Sequence, residues 1–504
     1  MNHRLLIGLL ATGWLFSGAP LVAQTTPSSG TNAAALGETP LQPSIPPMPK
    51  GPLELKAQIN RPLRLQEAVR IGLERSPQLL LAKLAVERAE GVQREAEAAL
   101  YPTASFSLSY SYVQSAQTRI TLDIFSKPTG IDQVVLGSGA FTPLQANTIL
   151  AAFARNGSIL GGAFPLDSTP IDGRASISWT LFSGGLIPGN IRAAQQQLQA
   201  ARLDYERVRQ DVIESVITAY YDLQTADGNL EIGEAAVKSA QAILTDAQAE
   251  LRAGIAARFA VLQAEVQLAN AIQQRLGYQN QQTVRRRALA RLLHFERPTD
   301  VSADEPIEAS GTWPLGLEES ILKSYSQRSE LAAQIAQEQA ARAREEAAYG
   351  SVSPQLSLFA NGEALDNLTD RSLGIFTGYS AGVQIQWNAF DGGAAQGRAA
   401  QAIADAKSAR VRYLDTRDTI RFDVESSYSQ LDTSRQQIDT ARTALTSAEE
   451  SLRLARRRFE EGVGTQTDVL VADRDLTQAR VNLLTATVDY NRSLSSLRRA
   501  LGEL

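Results

Sequence analysis

The sequence predicts an α+β membrane protein made of two copies of one unit. Each unit contributes two β-strands and a very long helical hairpin to a larger barrel. Three observations carry this reading. Trp179, Phe182, Gly184, Gly185, Tyr205 and Gly254 return 208 residues later as Trp387, Phe390, Gly392, Gly393, Tyr413 and Gly462. Short segments alternate apolar and polar side chains with a period of two. Two proline-free stretches, Gly189 to Arg297 and Gln355 to the C-terminus, space apolar or small residues by three and four. A repeat of this kind governs the whole organisation and is read first.

The chain opens on a signal-peptide pattern over residues 1–23. His3 and Arg4 precede the apolar run Leu5–Phe16, and the small Ala23 stands before the expected cut. Residues 24–62 are rich in Pro, Ser, Thr and Ala and read as a disordered lead segment. Among 504 residues there is no cysteine, so thiol catalysis and disulfides are excluded. The only histidine beyond the leader, His294, reads as a helix-packing residue in "ARLLHFE". No cofactor or metal is expected. Net charge is −5, and runs such as Arg285-Arg286-Arg287 are solvated helix faces, so no nucleic-acid partner is expected.

The first unit spans 63–296. It begins with a helix of about forty residues, ended by Pro102. Strands follow at about 103–112 and 174–182. In the first, Phe106, Leu108, Tyr110 and Tyr112 face one side and Ser105, Ser107, Ser109 and Ser111 the other. Then comes the hairpin, turning at Gly254. Positions 191, 194, 198, 201, 205, 208, 212, 215 and 219 form its 3-4 seam, with many alanines. The outgoing arm is about 95 Å long and the return arm about 55 Å. The helix before the strands has the missing length and completes the second side by stacking end-on.

After a linker, 297–314, the second unit runs over 315–504, with strands at about 355–360 and 379–390. Upstream of the tryptophans the spacing is 252, which pairs "LQEAV" with "LEESI" and Pro102 with Pro354. The difference is a 44-residue insertion within Val113–Asp172.

Period-two alternation fits a half-buried sheet. It fits a membrane barrel equally, with lipid outside and a wet lumen inside. Four strands cannot close a barrel, and open edges in lipid are unsatisfied. The chain therefore supplies part of a barrel, of eight strands from two copies or twelve from three.

The segments "LQEAVRIGLERSPQL", "ALYPTASFSLSYSY", "SWTLFSGGLIPGNIRAA" and "RFEEGVGTQTDVLVADRDLTQARVNLL", with their duplicated order, resemble the TolC-like outer-membrane efflux proteins across 60–504. The resemblance implies a homotrimer with a twelve-stranded barrel in outer-membrane lipid and a periplasmic tunnel of twelve helices. It implies a periplasmic adaptor and an inner-membrane transporter as partners, and a passive exit duct of a tripartite pump or type I secretion system. Gly184-Gly185 and Gly392-Gly393 become strand-to-helix turns. Trp179 and Trp387 become barrel-rim aromatics, and the inserted segment becomes an extracellular loop. Gly254, Gly462 and Gly464 become tips that dock the adaptor.

Asp468 matches a family aspartate at the entrance, which makes Asp468, Val471 and Phe459 the expected periplasmic gate. Three such carboxylates round an axis would raise the proton affinity of at least one. The plainer alternative is an Asp at a helix start. A second family aspartate falls on Val471, a family arginine on Gly464 and a family tyrosine on Phe459. The matching first-unit position is Ala260. These departures imply a looser, partly hydrophobic constriction. The rival functional class, a periplasmic adaptor-like or structural coiled-coil protein, carries one hairpin per chain rather than two. An enzyme is not expected, since no phosphate loop, zinc-ligand cluster or nucleophile elbow is present.

Overall fold

The computed structural model describes residues 60–114, 167–254, 257–295, 299–367 and 374–504, with positions 142, 144, 145 and 148. The signal and nearly all of the lead segment and inserted loop lie outside them. The first unit opens with α1 (Leu65–Arg75) and α2 (Pro77–Ala98). The single helix of about forty residues expected here is broken in two. Pro77 has no amide to donate and favours an extended residue before it. Ser76 adopts φ −64°, ψ 118°, and its Oγ accepts from the Leu79 amide at 3.3 Å.

The strands follow: β2 (Thr103–Tyr110) and β5 (Pro170–Phe182), with the short pair β3 (Val113–Gln114) and β4 (Asp167–Ser168) beyond them. The outgoing arm α3 (Leu186–Ala253) is 68 residues long and the return arm α4 (Arg258–Leu292) is 35. The second unit follows the same order. Its elements are α5 (Leu317–Gln327), α6 (Ser329–Gly350), β7 (Gln355–Asn367), β8 (Phe376–Gln386), α7 (Ala394–Glu460) and α8 (Gln466–Leu501). Its first helix is also broken, at Arg328 (φ −70°, ψ 115°), without a proline. Here the guanidinium holds the break by donating to the Arg499 and Ala500 carbonyls.

Four strands form one antiparallel sheet in the order β2-β5-β7-β8. Strand β7 is longer than the 355–360 expected. Strand β8 is displaced, starting at Phe376 and ending at Gln386, so Trp387 and Phe390 lie beyond it. Phe106, Leu108, Tyr110, Ile177, Trp179, Val383 and Ile385 make one exposed apolar face. The other face carries hydroxyl ladders: Ser105 Oγ lies 2.7 Å from Ser176 Oγ, and Thr103 Oγ1 3.1 Å from Ser178 Oγ. Among the described residues, both edges, β2 and β8, lack a partner strand.

The helices pack as two hairpins with α2 and α6 completing the short sides. α2 lies on the first part of α3, where Arg202 pairs with Glu90, and α4 on its second part, where Arg286 pairs with Asp227. α6 lies between α3 and α7. The seam residues on α3 are buried or half-buried, except Ser215. Small residues allow the closest approach. A Cβ at Gly189 would stand 2.9 Å from the Ala343 carbonyl oxygen.

Three apolar cores lie along the packed helices. One surrounds Ile71, Val216, Tyr220, Leu289 and Val301. A second joins Val424, Tyr490, Leu494 and Leu497, with Trp313 against it. The third lies near the tips, around Leu244, Val261, Leu452, Val469 and Leu476.

Two further features differ from the sequence reading. Residues 60–62 of the lead segment and 300–303 of the linker form a parallel pair, β1 (Asn60–Leu63) with β6 (Asp300–Ala303). The Leu63 carbonyl accepts the buried Tyr220 hydroxyl at 3.0 Å, and burial pushes that phenol up well above its ordinary value. The rest of the linker straps across the helices, with Asn491 donating to the Glu308 carbonyl and Tyr490 to that of Gly311. His294 is not a packing residue. It is exposed at φ 47° just past α4, a left-handed position that His tolerates better than most. The residue 208 further on is Gly502, at φ 84°.

Candidate functional site

At both strand-to-helix junctions the chain reverses through paired left-handed glycines. Gly184 and Gly185 have φ 62° and 101°; Gly392 and Gly393 have φ 70° and 89°. Glycine takes such angles without the Cβ penalty. Side chains just ahead cap the helices. Ser183 Oγ accepts from the Ile187 amide at 3.1 Å. Asp391 accepts from the Gly393 and Ala395 amides at 3.0 and 2.7 Å. The junctions differ in crowding. A Cβ at Gly184 would sit 2.1 Å from Ser353 Cβ, whereas one at Gly392 meets nothing.

The two tryptophans sit at these junctions and do equivalent work. Trp179 Nε1 donates to the Leu100 carbonyl at 2.8 Å, and Trp387 Nε1 to the Val352 carbonyl at 3.0 Å. Each indole thus bolts the end of the sheet to the segment leaving α2 or α6.

At the far end, Gly254 (φ 79°) and Gly462 (φ 75°) turn the hairpins. A Cβ at either would meet open space, so the backbone angle alone asks for glycine. Gly464 is different. Its Cβ would stand 3.0 Å from that of Arg458, whose carbonyl accepts from both Val463 and Gly464.

Asp468 sits in a capping box. Its carboxylate accepts from the Thr465 amide at 2.9 Å, and Thr465 Oγ1 accepts from the Asp468 amide at 3.2 Å. The Thr465 amide, then its hydroxyl, hold the Asp468 carboxyl below the usual aspartate range. Within one chain the proton affinity is therefore lowered; the rise expected from three carboxylates round an axis belongs to an assembly of copies. The T-x-x-D spacing is itself a capping signature, and the sequence reading passed over it. In the first hairpin Ala257 and Ala260 replace both partners, and no side chain caps α4. Val471 is 42% exposed, and Phe459 is half-buried against the tip core. Phe459 therefore packs beneath the turn.

A groove of about 520 Å³ separates the two hairpin ends, lined by Ala247, Glu250, Arg456, Phe459, Gln466 and Val469. The Gln466 amide is buried there, and neither of its polar atoms has a partner. One step higher, the buried Asp473 accepts from Ser239 at 2.5 Å and lies 3.9 Å from Arg456, which links α3 to α7 and α8.

A second ionic joint, unforeseen from sequence, lies at the broken helix of the second unit. Arg499 pairs with Asp211 at 2.6 Å and Glu330 at 3.1 Å; Arg328 pairs with Glu330 at 3.1 Å and Asp423 at 3.6 Å. Burial alone would raise the Glu330 carboxyl, yet Arg328 and Arg499 hold it below its ordinary value. Burial pushes the neighbouring Glu214 up, against its bond from Ser496.

None of the described helices is long and apolar enough to cross a membrane. The lipid-compatible surface is that of the sheet. The model of the outer membrane efflux protein family matches residues 69–293 and 322–503. The chain is 26% identical to the protein CyaE of Bordetella pertussis, over 65% of this chain and 70% of that one. It is 25% identical to outer membrane protein TolC of Vibrio cholerae, over 62% and 73%. The Campylobacter jejuni CmeC outer membrane channel superposes with a TM-score of 0.68 at 18% identity, over 87% of this chain and 85% of that one. With its sheet, paired long hairpins and two matched segments, the chain belongs to the outer membrane efflux protein family and is an outer-membrane channel.

Proposed function

We propose that three copies close their sheets into one twelve-stranded barrel, continued by the hairpins as a periplasmic tunnel. The assembly is the passive exit duct of a tripartite efflux pump or type I secretion system. The observation that carries this reading is the sheet: apolar and exposed on one face, hydroxyl-lined on the other, unpaired at both edges, and continuous with two long hairpins. Free strand edges in lipid cost several kcal/mol per unsatisfied group, on the order of 2–7 each. Closure with further copies removes them.

An inner-membrane transporter supplies the energy, and the duct performs no enzymatic step. Trp179 and Trp387 form the lower rim of the barrel. Gly254, Gly462 and Gly464 present the tips to a periplasmic adaptor, and the unpartnered Gln466 amide in the neighbouring groove supports docking there. Asp468 and the exposed Val471 line the entrance, with Phe459 propping the turn from behind. The test is native mass in detergent combined with conductance in a planar bilayer. Conducting trimers are expected; a stable, non-conducting monomer overturns the reading.

A further inference from the structure

The offsets of 252 and 208 do more than align residue types; they carry hydrogen bonds and strand register. Thr103↔Ser178 in the first β-hairpin becomes Gln355↔Gln386 in the second, and Leu108↔Gly173 becomes Ala360↔Ala381. The bond from Trp179 to Leu100 becomes that from Trp387 to Val352. One chain also contains the joint between two units, β5 against β7. In a closed ring, the joint between chains is the next copy of it: β8 against β2 of the following chain.

We propose that β8 pairs with β2 of a second copy in the register that β5 and β7 adopt within the chain. This rests on the closed-ring reading above. Within the chain, Ala175 faces Gly362 and Ile177 faces Ala360. The offsets turn these into Val383 opposite Tyr110 of the partner subunit, and Ile385 opposite Leu108 of the partner subunit. All four side chains belong to the apolar face and are between 62% and 72% exposed in one chain. The intervening row sets Gln384 opposite Ser109 of the partner subunit, so polar meets polar. A slip of one residue would set apolar against polar on every row.

The helices carry the same signature. Ala333 and Ala336 on α6 are buried, and α6 packs against α3. Their counterparts on α2, Leu81 and Leu84, are 66% and 44% exposed. Val411 on α7, the counterpart of the half-buried Leu203, is 65% exposed. The same rule lays Leu81 and Leu84 of one chain against the Val411 surface of the next.

The absence of cysteine makes the register directly testable. Directly opposed residues lie about 4.5–5.5 Å apart between Cα atoms, within disulfide range; diagonal neighbours lie about 7–8 Å apart. Ile385→Cys with Leu108→Cys, oxidised in the full-length protein in membranes, should link chains into covalent dimers and trimers. Ile385→Cys with Phe106→Cys or Tyr110→Cys should link about tenfold more slowly. Faster linking by either diagonal pair overturns the register, as does no linking in a protein that runs as a trimer. A monomer would instead overturn the duct reading, so the two failures are distinguishable. Leu81→Asp should lower the temperature at which trimers dissociate while leaving the helical circular dichroism intact. An unchanged dissociation temperature overturns the helical half of the proposal.

Discussion

Asp468 joins an observed role and a proposed one in one carboxylate. As a cap it ties the first turn of α8 to Thr465. As an exposed anion at the tip it would, in the proposed duct, stand where three copies concentrate charge. Thr465→Ala removes one half of the box and should cost about 1 kcal/mol locally, seen as roughly fivefold faster amide exchange in that turn. Because the folded carboxyl is lowered, its capping contribution is present above the ordinary aspartate range. It is lost as pH falls through the lowered value. Relative to the intrinsic exchange rate at each pH, protection at the tip should therefore hold in mild acid and fall only in strong acid. Asp468→Asn should weaken cation selectivity in single-channel recordings moderately, since Gly464 and Val471 offer no second polar contact. Unchanged selectivity would leave Asp468 as a cap alone.

The junctions and breaks between elements separate what local sequence encodes from what packing imposes. Gly184 and Gly392 share a backbone angle but not a neighbour. Gly392→Ala should cost about 1 kcal/mol of left-handed strain. Gly184→Ala adds a clash with Ser353 and should destabilise the barrel distinctly more, with partial recovery in Gly184→Ala/Ser353→Gly. Heat-dissociation midpoints of the assembled protein read both.

The Arg499 joint predicts a pair of opposite effects. Glu330 is lowered, so its stabilisation is present above the ordinary glutamate value and lost as pH falls through the lowered one. Glu214 is raised, so its carboxylate is disfavoured in the fold at neutral pH, and stability rises as pH falls through the raised value. Glu330→Gln should destabilise at neutral pH and flatten the acid limb of urea unfolding. Glu214→Gln should stabilise slightly at neutral pH while still accepting from Ser496.

The first-unit strands were legible because serine or threonine alternates with apolar residues, whereas β7 and β8, with Gln, Asn and Gly in that row, were misplaced at their ends. The turns were legible because paired glycines suit them. The break at Ser76 was legible in principle from Pro77. The one at Arg328 has no local signal, since its stabilising contacts come from a helix end about 170 residues away. The β1–β6 pair and the Arg499 joint were hidden for the same reason. Four-residue strands and single charges acquire meaning only once distant elements meet. The helix-start role of Asp468 was legible as the plainer alternative; its reciprocal partner, Thr465, is written only three residues earlier and completes the box.

At the scale of the molecule, one chain is two near-copies joined by a strap, with stiff and plain joints in alternation. Inside the chain, Arg499 clamps α3 to α6 and α8. In the proposed ring the repeat offsets would set Arg291 against Asp418 and Thr419 of a neighbouring copy instead, without a counterpart of Glu330, because Gln78 stands there. On that rule the joint between chains lacks the double carboxylate clamp found within the chain.

The two indole bolts have one further use. Beyond the expected leader, which holds Trp14, the chain has three tryptophans. Trp179 and Trp387 mark the sheet end, each with its N–H fixed to a carbonyl. Trp313 marks the helical middle, against the core beneath the strap. Intrinsic fluorescence thus divides into two lengthwise zones without any label. Brominated lipid should quench the emission of Trp179 and Trp387 and spare that of Trp313. In a Trp313→Phe variant the quenchable fraction should approach the whole signal. Equal quenching of all three would place the lipid boundary far from the sheet end. A rearrangement at the tips that travels up the tube would register first in the Trp313 spectrum, before either bolt responds.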